Sequence, residues 1–538
     1  MKVVLLAINA KYVHSSLSVW VIANGIAKFA QFPHDVSVVE ATINQKIIDV
    51  ADAVLRHNPD VIGISSYIWN AGMLPELLVL LREQLPDAVF VLGGPEASNN
   101  VEYWLVNGAD YVLQGEGEYY FPQFIDKLVD GKSIKQEDDS SVSRQEDNSL
   151  VFEEAIDPYT DSYLAALNGR LSYIETSRGC PFQCLFCLSA RSDVRYFPIA
   201  TVKEQILKLS QADTKTIKFV DRTFNCHADR AYEIFEYILG LDTTCRFHFE
   251  VAADLFDERL LSLLESAPPG RIQFEIGLQS FFKPALTASS RQMNIEKAEQ
   301  NIQELMEMEN VHIHVDLIAG LPYETLAEFI NSFNRAYALN THTLQLGFLK
   351  LLHGSELRKQ AESLGIYYSP DPPYEIIQSP WLSIDDLMIL KKTENALQHT
   401  RNKGRFLSAL NYLQAITRMK PFSLMHALGE AVPSHATQLE DYAAQIYDFF
   451  TKLPGVEKSA LQDCLTYDWL GMVKGKNAPI FMKNDNPHRK RIAEIAEKTL
   501  ERKVKREEYA VLNSGLGAFV DSSKRNPVTG LYKVHLCR

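Results

Sequence analysis

The chain has 538 residues, more than one hydrophobic core usually serves, so two or three domains are expected. It is 46% apolar and 23% charged, has no apolar run long enough to cross a bilayer, and opens on MKVVLLAINAKYVHSS, which lacks the cleavage pattern of a secretory leader. A net charge of −14 argues against nucleic acid as the partner, and seven cysteines are too few for a disulfide scaffold, so a cytoplasmic protein without a membrane segment is expected.

Taken in chain order, residues 1–135 alternate Val/Ile-rich runs (VVLLAIN, DVSVVEAT, VIGISSYI, AVFVLGGP, DYVLQGE) with helix-length segments such as NQKIIDVADAVLRHN. Continuous apolar strands separated by helices predict a doubly wound parallel α/β sheet. Ligands of such sheets bind beyond the carboxyl ends of the strands, where NAKYVH, SSYIWN, GGPEAS and GEGE fall. Residues 136–167, rich in charge and serine, read as a linker. Within 168–390 six strand-then-helix units follow, from LSYIETSRG to HTLQLGFLKLL, and predict a partial, open-sided (β/α)6 barrel. Glu175, Asp221, Asn225, Glu250, Asp254, Gln279 and Asp316 lie near the carboxyl ends of those strands, where barrels carry their chemistry. Residues 391–538 read as a mostly helical accessory domain with no catalytic signature.

The chemical signal is ETSRGCPFQCLFCLSA, in which Cys180, Cys184 and Cys187 form CxxxCxxC after the first barrel strand. A tetrahedral zinc site normally recruits four ligands, whereas three thiolates without an evident fourth suit a four-iron cluster that keeps one iron open. A zinc site, or three buried cysteines, remain the alternatives from spacing alone.

This stretch closely resembles the radical S-adenosylmethionine (SAM) superfamily, whose motif carries an aromatic before the last cysteine, here Phe186. The resemblance implies a 4Fe-4S cluster on Cys180, Cys184 and Cys187, with SAM chelating the open iron and yielding a 5′-deoxyadenosyl radical. Relatives of the oxygen-independent coproporphyrinogen oxidase type match further segments: Glu250 in FEVAAD, Gln279 in GLQSF, Arg291 in SSRQMN and Asp316 in DLIAGLP. By that likeness Glu250, Gln279 and Asp316 contact the ribose, and Arg291 clamps a carboxylate. The second strand ends in FVDRTFN rather than the common Gly-Gly-Glu, whose backbone contacts the methionine amino group; since backbone contacts tolerate side-chain change, the likeness leaves Asp221, with Arg222 and Thr223, as candidates there.

The first 135 residues resemble the cobalamin-binding domain found ahead of the barrel in many radical SAM enzymes, a flavodoxin-like fold. That likeness makes Ser65, Gly93 and Gly94 candidates for the slot that takes the nucleotide tail; a tight strand-to-helix turn is the other use for the glycines. Better-known carriers ligate cobalt through DxHxxG. In the equivalent YVHSSL, Tyr12 stands for the aspartate and Leu17 for the glycine, leaving His14 either an axial ligand or an ordinary loop residue. As a whole the chain resembles a cobalamin-binding radical SAM enzyme. That implies methyl transfer to an unactivated carbon of a small or otherwise unknown substrate, with an electron donor such as flavodoxin or ferredoxin. Oxidation, cyclisation or rearrangement without methyl transfer is the enzymatic alternative, and a redox sensor or cofactor carrier the non-enzymatic one.

Overall fold

A computed structural model describes residues 1–129, 156–190, 192–432, 438–476, 478–483 and 487–538. Most of the expected linker therefore lies outside the described residues, although its end does not: Asp161–Leu167 is a helix with Tyr163 and Leu167 buried. The chain divides into two compact units, one of residues 1–263, 289–292 and 350–376, the other of 264–288, 293–349 and 377–538.

The first unit begins with strands β1 (Lys2–Asn9), β2 (Asp35–Thr42), β3 (Val61–Ser65), β4 (Val89–Gly93) and β5 (Tyr111–Val112), which pair in parallel in the order β2-β1-β3-β4-β5. This is the doubly wound, flavodoxin-like order expected. The two-residue alternation of β1 explains why both faces must be covered. Val4, Leu6 and Ile8 join one apolar cluster, which includes Leu74, Leu78 and Trp104 from helices. Val3, Leu5 and Ala7 join another with Val19, Ile26, Phe121 and Phe124. With seven of its eight residues buried, β1 is the spine of this sheet.

The second series is β6 (Ser172–Ile174), β7 (Ser177–Cys180), β8 (Ser192–Tyr196), β9 (Thr216–Phe219), β10 (Arg246–Val251), β11 (Ile272–Gln279), β12 (His312–Ala319) and β13 (Thr343–Phe348). Six of these form one sheet in the order β13-β12-β11-β10-β9-β6, with helices between successive strands, as a partial (β/α)6 barrel requires. β7 and β8 stand apart as an antiparallel hairpin. In β11 and β12 every second residue is buried: Ile272, Phe274, Ile276 and Leu278 on one strand, Ile313, Val315, Leu317 and Ala319 on the other. That alternation leaves Gln273, Glu275 and Gln279, with His312, His314 and Asp316, on the opposite, half-buried face.

β14 (Tyr367–Tyr368) and β15 (Ile376–Gln378) form a small pair, after which the regular elements among the described residues from Ile384 to Leu500 are all helices. The helical expectation stops short of the end, because β16 (Tyr509–Val511), β17 (Gly517–Arg525) and β18 (Tyr532–Cys537) make an antiparallel sheet. Its inner face, with Ala518 and Val520, packs on Leu470 and Leu512. Among the described residues no helix is long and apolar enough to cross a membrane.

Candidate functional site

The carboxyl ends of β1, β3 and β4 carry the residues expected to take a flat ligand. Gly94 has φ 96°, and a Cβ there would come 2.7 Å from the Ser66 carbonyl oxygen, so only glycine lets the two loops approach this closely. The Ser66 amide donates to the Gly93 carbonyl at 2.7 Å, which ties the loops together. Ser65 is buried, and its hydroxyl donates to the Leu6 carbonyl at 3.4 Å. The Ser66 hydroxyl, also buried, has no hydrogen-bond partner among the described residues. Beyond them lies an aromatic surface that the sequence did not single out. Trp69, 44% exposed, stacks on Tyr67 at 4.3 Å and donates its indole N–H to the Ile8 carbonyl, while Tyr12 is 68% exposed.

His14 does not stand free in this loop. Its Nδ1 lies 2.5 Å from the Tyr173 hydroxyl on β6, and burial, with Lys218 and Lys11 nearby, lowers its pKa. Its neighbour Ser15 is fixed to the Leu171 carbonyl through both its amide and its hydroxyl. Arg170 reinforces the same junction, donating to Glu40 at 2.8 and 3.3 Å while Trp20 and the Ser16 amide also donate to that carboxylate.

The three cysteines sit on one hairpin. Cys180 ends β7, Cys184 follows in the loop, and the Cys187 amide donates to the Cys184 carbonyl at 3.1 Å. Cys180 and Cys184 are buried and Cys187 is half-buried, where burial pushes its thiol up; all seven cysteines are free. Among the described residues, the His, Cys, Asp and Glu set with ligand atoms within 4.8 Å of one another is Glu275, His314 and Asp316, not the cysteines. Arg291 approaches the cysteines: its Nη1 is 3.6 Å from the Cys184 sulphur and its guanidinium lies over the Phe182 ring. The carboxylate-clamp role expected of Arg291 is thus joined by a contact to the cysteine loop itself.

Asp221 is held by donors from the segment ahead of the first cysteine. It is 1% exposed, and its carboxylate accepts from the Thr176 amide (3.0 Å), the Thr176 hydroxyl (2.7 Å) and the Ser177 hydroxyl (2.5 Å). Burial raises its pKa while these bonds oppose the rise. Both carboxylate oxygens are committed to the start of β7, so the Asp221 side chain buttresses the cysteine hairpin.

Glu250 lies half-buried on the polar alternation of β10. In the second unit, Gln279 ends β11 where its register with β12 shifts, and it adopts φ 69°, rare for a residue with a side chain. Its buried Oε1 has no partner among the described residues. Asp316 lies 3.0 Å from His314 Nε2, and Glu275 stands opposite His314 in the strand register. Behind Gln279, Ser280 donates to the buried Glu324 at 2.5 Å.

The group that sequence reasoning missed most completely is ionic. Arg178, on β7, donates from Nε and Nη2 to Glu175 at 3.0 and 2.9 Å. It also pairs through Nη1 with Glu116 at 3.0 Å and through Nη2 with Glu118 at 2.5 Å. Arg195, on β8, pairs with Glu116 as well. Burial opposes the Arg178 charge, but Glu175, Glu118 and Glu116 outweigh it and hold the guanidinium protonated. Burial raises the Glu118 carboxyl against the pull of Arg178. The only sequence signal was GEGE itself, which falls at a carboxyl strand end.

Three family models match: B12 binding domain over residues 3–125, Radical SAM superfamily over 174–336, and a protein of unknown function (DUF4080) over 362–515. The cobalamin-dependent radical SAM methyltransferase TokK of Streptomyces tokunonensis is 23% identical over 79% of this chain and 66% of its own length. The chain spans two thirds or less of the first curated relatives it matches, 66% and 46%. Among solved structures, the cobalamin-dependent SAM radical enzyme OxsB, with aqua-cobalamin and SAM bound, covers 86% of this chain and 78% of its own at 14% identity and TM-score 0.57. TsrM from Kitasatospora setae, with cobalamin and a [4Fe-4S] cluster bound, covers 69% and 78% at 15% identity and TM-score 0.55. At these identities the two structures establish the shared fold.

Proposed function

Since the chain carries both a B12-binding and a radical SAM domain, we propose that it is a cobalamin-dependent radical SAM methyltransferase acting on an unactivated carbon of a small molecule. In this reading residues 1–135 bind cobalamin, 136–167 link, 168–390 form the radical SAM core and 391–538 are accessory. Cys180, Cys184 and Cys187 hold the 4Fe-4S cluster. When bound, the cluster and SAM supply a hydrogen-abstracting 5′-deoxyadenosyl radical, and cobalamin supplies the methyl group.

The observation that carries this reading is that the cysteine hairpin and the cobalamin-domain loops belong to one compact unit and are joined by half-buried ion pairs. A two-cofactor transfer depends on such fixed relative placement. The chain's own residues divide the work. Gly94 and the exposed Tyr12 and Trp69 offer a close backbone and an apolar aromatic surface to a flat macrocycle. Arg291 brings a fixed positive charge beside Cys184, and Asp221 braces Thr176 and Ser177 ahead of Cys180. Glu250, Gln279 and Asp316 take the hydroxyls of SAM. Seven free cysteines suit a reducing, cytoplasmic compartment, with a low-potential donor of the flavodoxin or ferredoxin class.

The test is an anaerobic absorption and electron paramagnetic resonance (EPR) spectrum of the reconstituted protein beside a Cys180→Ala, Cys184→Ala, Cys187→Ala variant. The variant is expected to lose the cluster signal and keep the corrin bands. A full cluster in the variant overturns the ligand assignment.

A further inference from the structure

The most unusual electrostatic feature of the first unit is that one guanidinium serves three carboxylates from two distant stretches of sequence. Glu116 and Glu118 flank the turn that follows β5 in the cobalamin-type domain, and Glu118 lies in the first turn of the helix Gly117–Val129. Glu175 closes β6. Arg178 lies on β7, two positions before Cys180, and uses Nε, Nη1 and Nη2 on all three. Arg195 reaches Glu116 from β8, so both strands of the cysteine hairpin hold the same acidic turn.

The hairpin backbone leaves little slack. Gly179, at φ 94°, has the place of a Cβ only 2.2 Å from the Asp193 carbonyl oxygen, so β7 and β8 are pressed together between Arg178 and Cys180. On the other side, the helix Gly117–Val129 packs against the helix Ser18–Phe29, and a Cβ on Gly25 would come 2.3 Å from the Glu118 carbonyl oxygen. A displacement of the acidic turn is therefore resisted from both directions. A planar five-donor fork can satisfy several carboxylates at fixed angles, which an ammonium cannot do.

We propose that Arg178 is a positioning residue that couples the cobalamin domain to the cysteine hairpin, setting how SAM use divides between corrinoid methylation and radical generation. This rests on the function proposed above. Arg178 acts through Glu116 and Glu118 on one side and Cys180 on the other.

The experiment compares wild type with Arg178→Lys, which keeps one charge and loses the fork. Hydrogen exchange is followed in the protein without added cofactors, and two products are followed after reconstitution with dithionite and methyl-labelled SAM: 5′-deoxyadenosine and label recovered with the corrinoid. In the variant, exchange in residues 113–120 and in 177–180 is expected to rise together, each by roughly tenfold. Corrinoid label per 5′-deoxyadenosine is expected to fall by a similar factor. If both products fall together at constant ratio, or only one segment exchanges faster, the coupling role is overturned and Arg178 is a stabilising residue. If wild type itself yields neither product, the proposed function fails, and the exchange measurement still decides the coupling.

Discussion

Glu324 gives the sharpest quantitative expectation. It is buried in the second unit, accepts hydrogen bonds at Oε1 from Ser280 (2.5 Å) and Ser332 (2.9 Å), and has an Oε2 without a partner among the described residues. Burial, set against those two bonds, pushes its carboxyl up to about 7 from an ordinary 4.5. The folded state therefore holds a proton that the unfolded state releases, and stability falls as pH rises from 4.5 towards 7, then levels off. At about 1.36 kcal/mol per pH unit this amounts to about 3 kcal/mol. Glu324→Gln keeps an oxygen for Ser280 and Ser332 and removes the titration. Its uncharged amide leaves a pH-independent cost of about 1–3 kcal/mol for the unpaired N–H. The assay is native-state hydrogen exchange of the helix Leu326–Ala338, corrected for intrinsic rates, at pH 5 and pH 8. Relative to wild type, the opening free energy of the variant is expected to rise by about 3 kcal/mol between those pH values. A constant offset would refute the assignment of a neutral, buried Glu324. The consequence reaches the site, because Ser280 follows Gln279 and the Phe281 amide donates to Ser332.

Other perturbations follow from the same geometry. Gly94→Ala must place a Cβ 2.7 Å from the Ser66 carbonyl at φ 96°, so a loss of about 1–3 kcal/mol and weaker cobalamin binding are expected; an unchanged melting temperature would contradict this. His14→Ala is expected to retain cobalamin with the Co(II) EPR signal unaltered, because Tyr12 stands where an aspartate would orient the imidazole as a ligand, and Nδ1 meets the neutral Tyr173 hydroxyl instead. Nitrogen superhyperfine coupling in wild type that disappears in the variant would make His14 an axial ligand. Asp221→Asn is expected to loosen Thr176 and Ser177, seen as faster exchange of β7; unchanged exchange there would deny the buttress role.

What could be read from the sequence was what is written locally. The Val/Ile runs announced β1 to β5 because a strand covered on both faces has no polar alternation, and β1 proves buried over seven of its eight residues. CxxxCxxC was legible because a short loop enforces proximity. Where partners lie far apart in the chain, nothing local marks them: Arg178 meets Glu116 and Glu118 some sixty residues away, and Arg170 meets Glu40 across 130. The Asp221 side chain's bonds to Thr176 and Ser177 were not legible, because a carboxylate at a strand end looks the same whether it faces a ligand or bonds to the next strand. The closing sheet, β16 to β18, escaped because β16 has only three residues and β17 runs out in Asp-Ser-Ser-Lys-Arg without apolar alternation, so the helical pattern before them dominated.

The central claim is that one chain uses SAM in two ways. Incubating reconstituted protein anaerobically with dithionite and SAM bearing a deuterated methyl group tests it directly. The account predicts that 5′-deoxyadenosine forms and that deuterated methyl appears with the corrinoid, both in the same sample. Loss of 5′-deoxyadenosine alone is expected when Cys180, Cys184 and Cys187 are replaced by alanine and the corrinoid is reduced chemically. A wild-type sample with intact cluster and corrin bands that forms neither product, or only one, would contradict the claim.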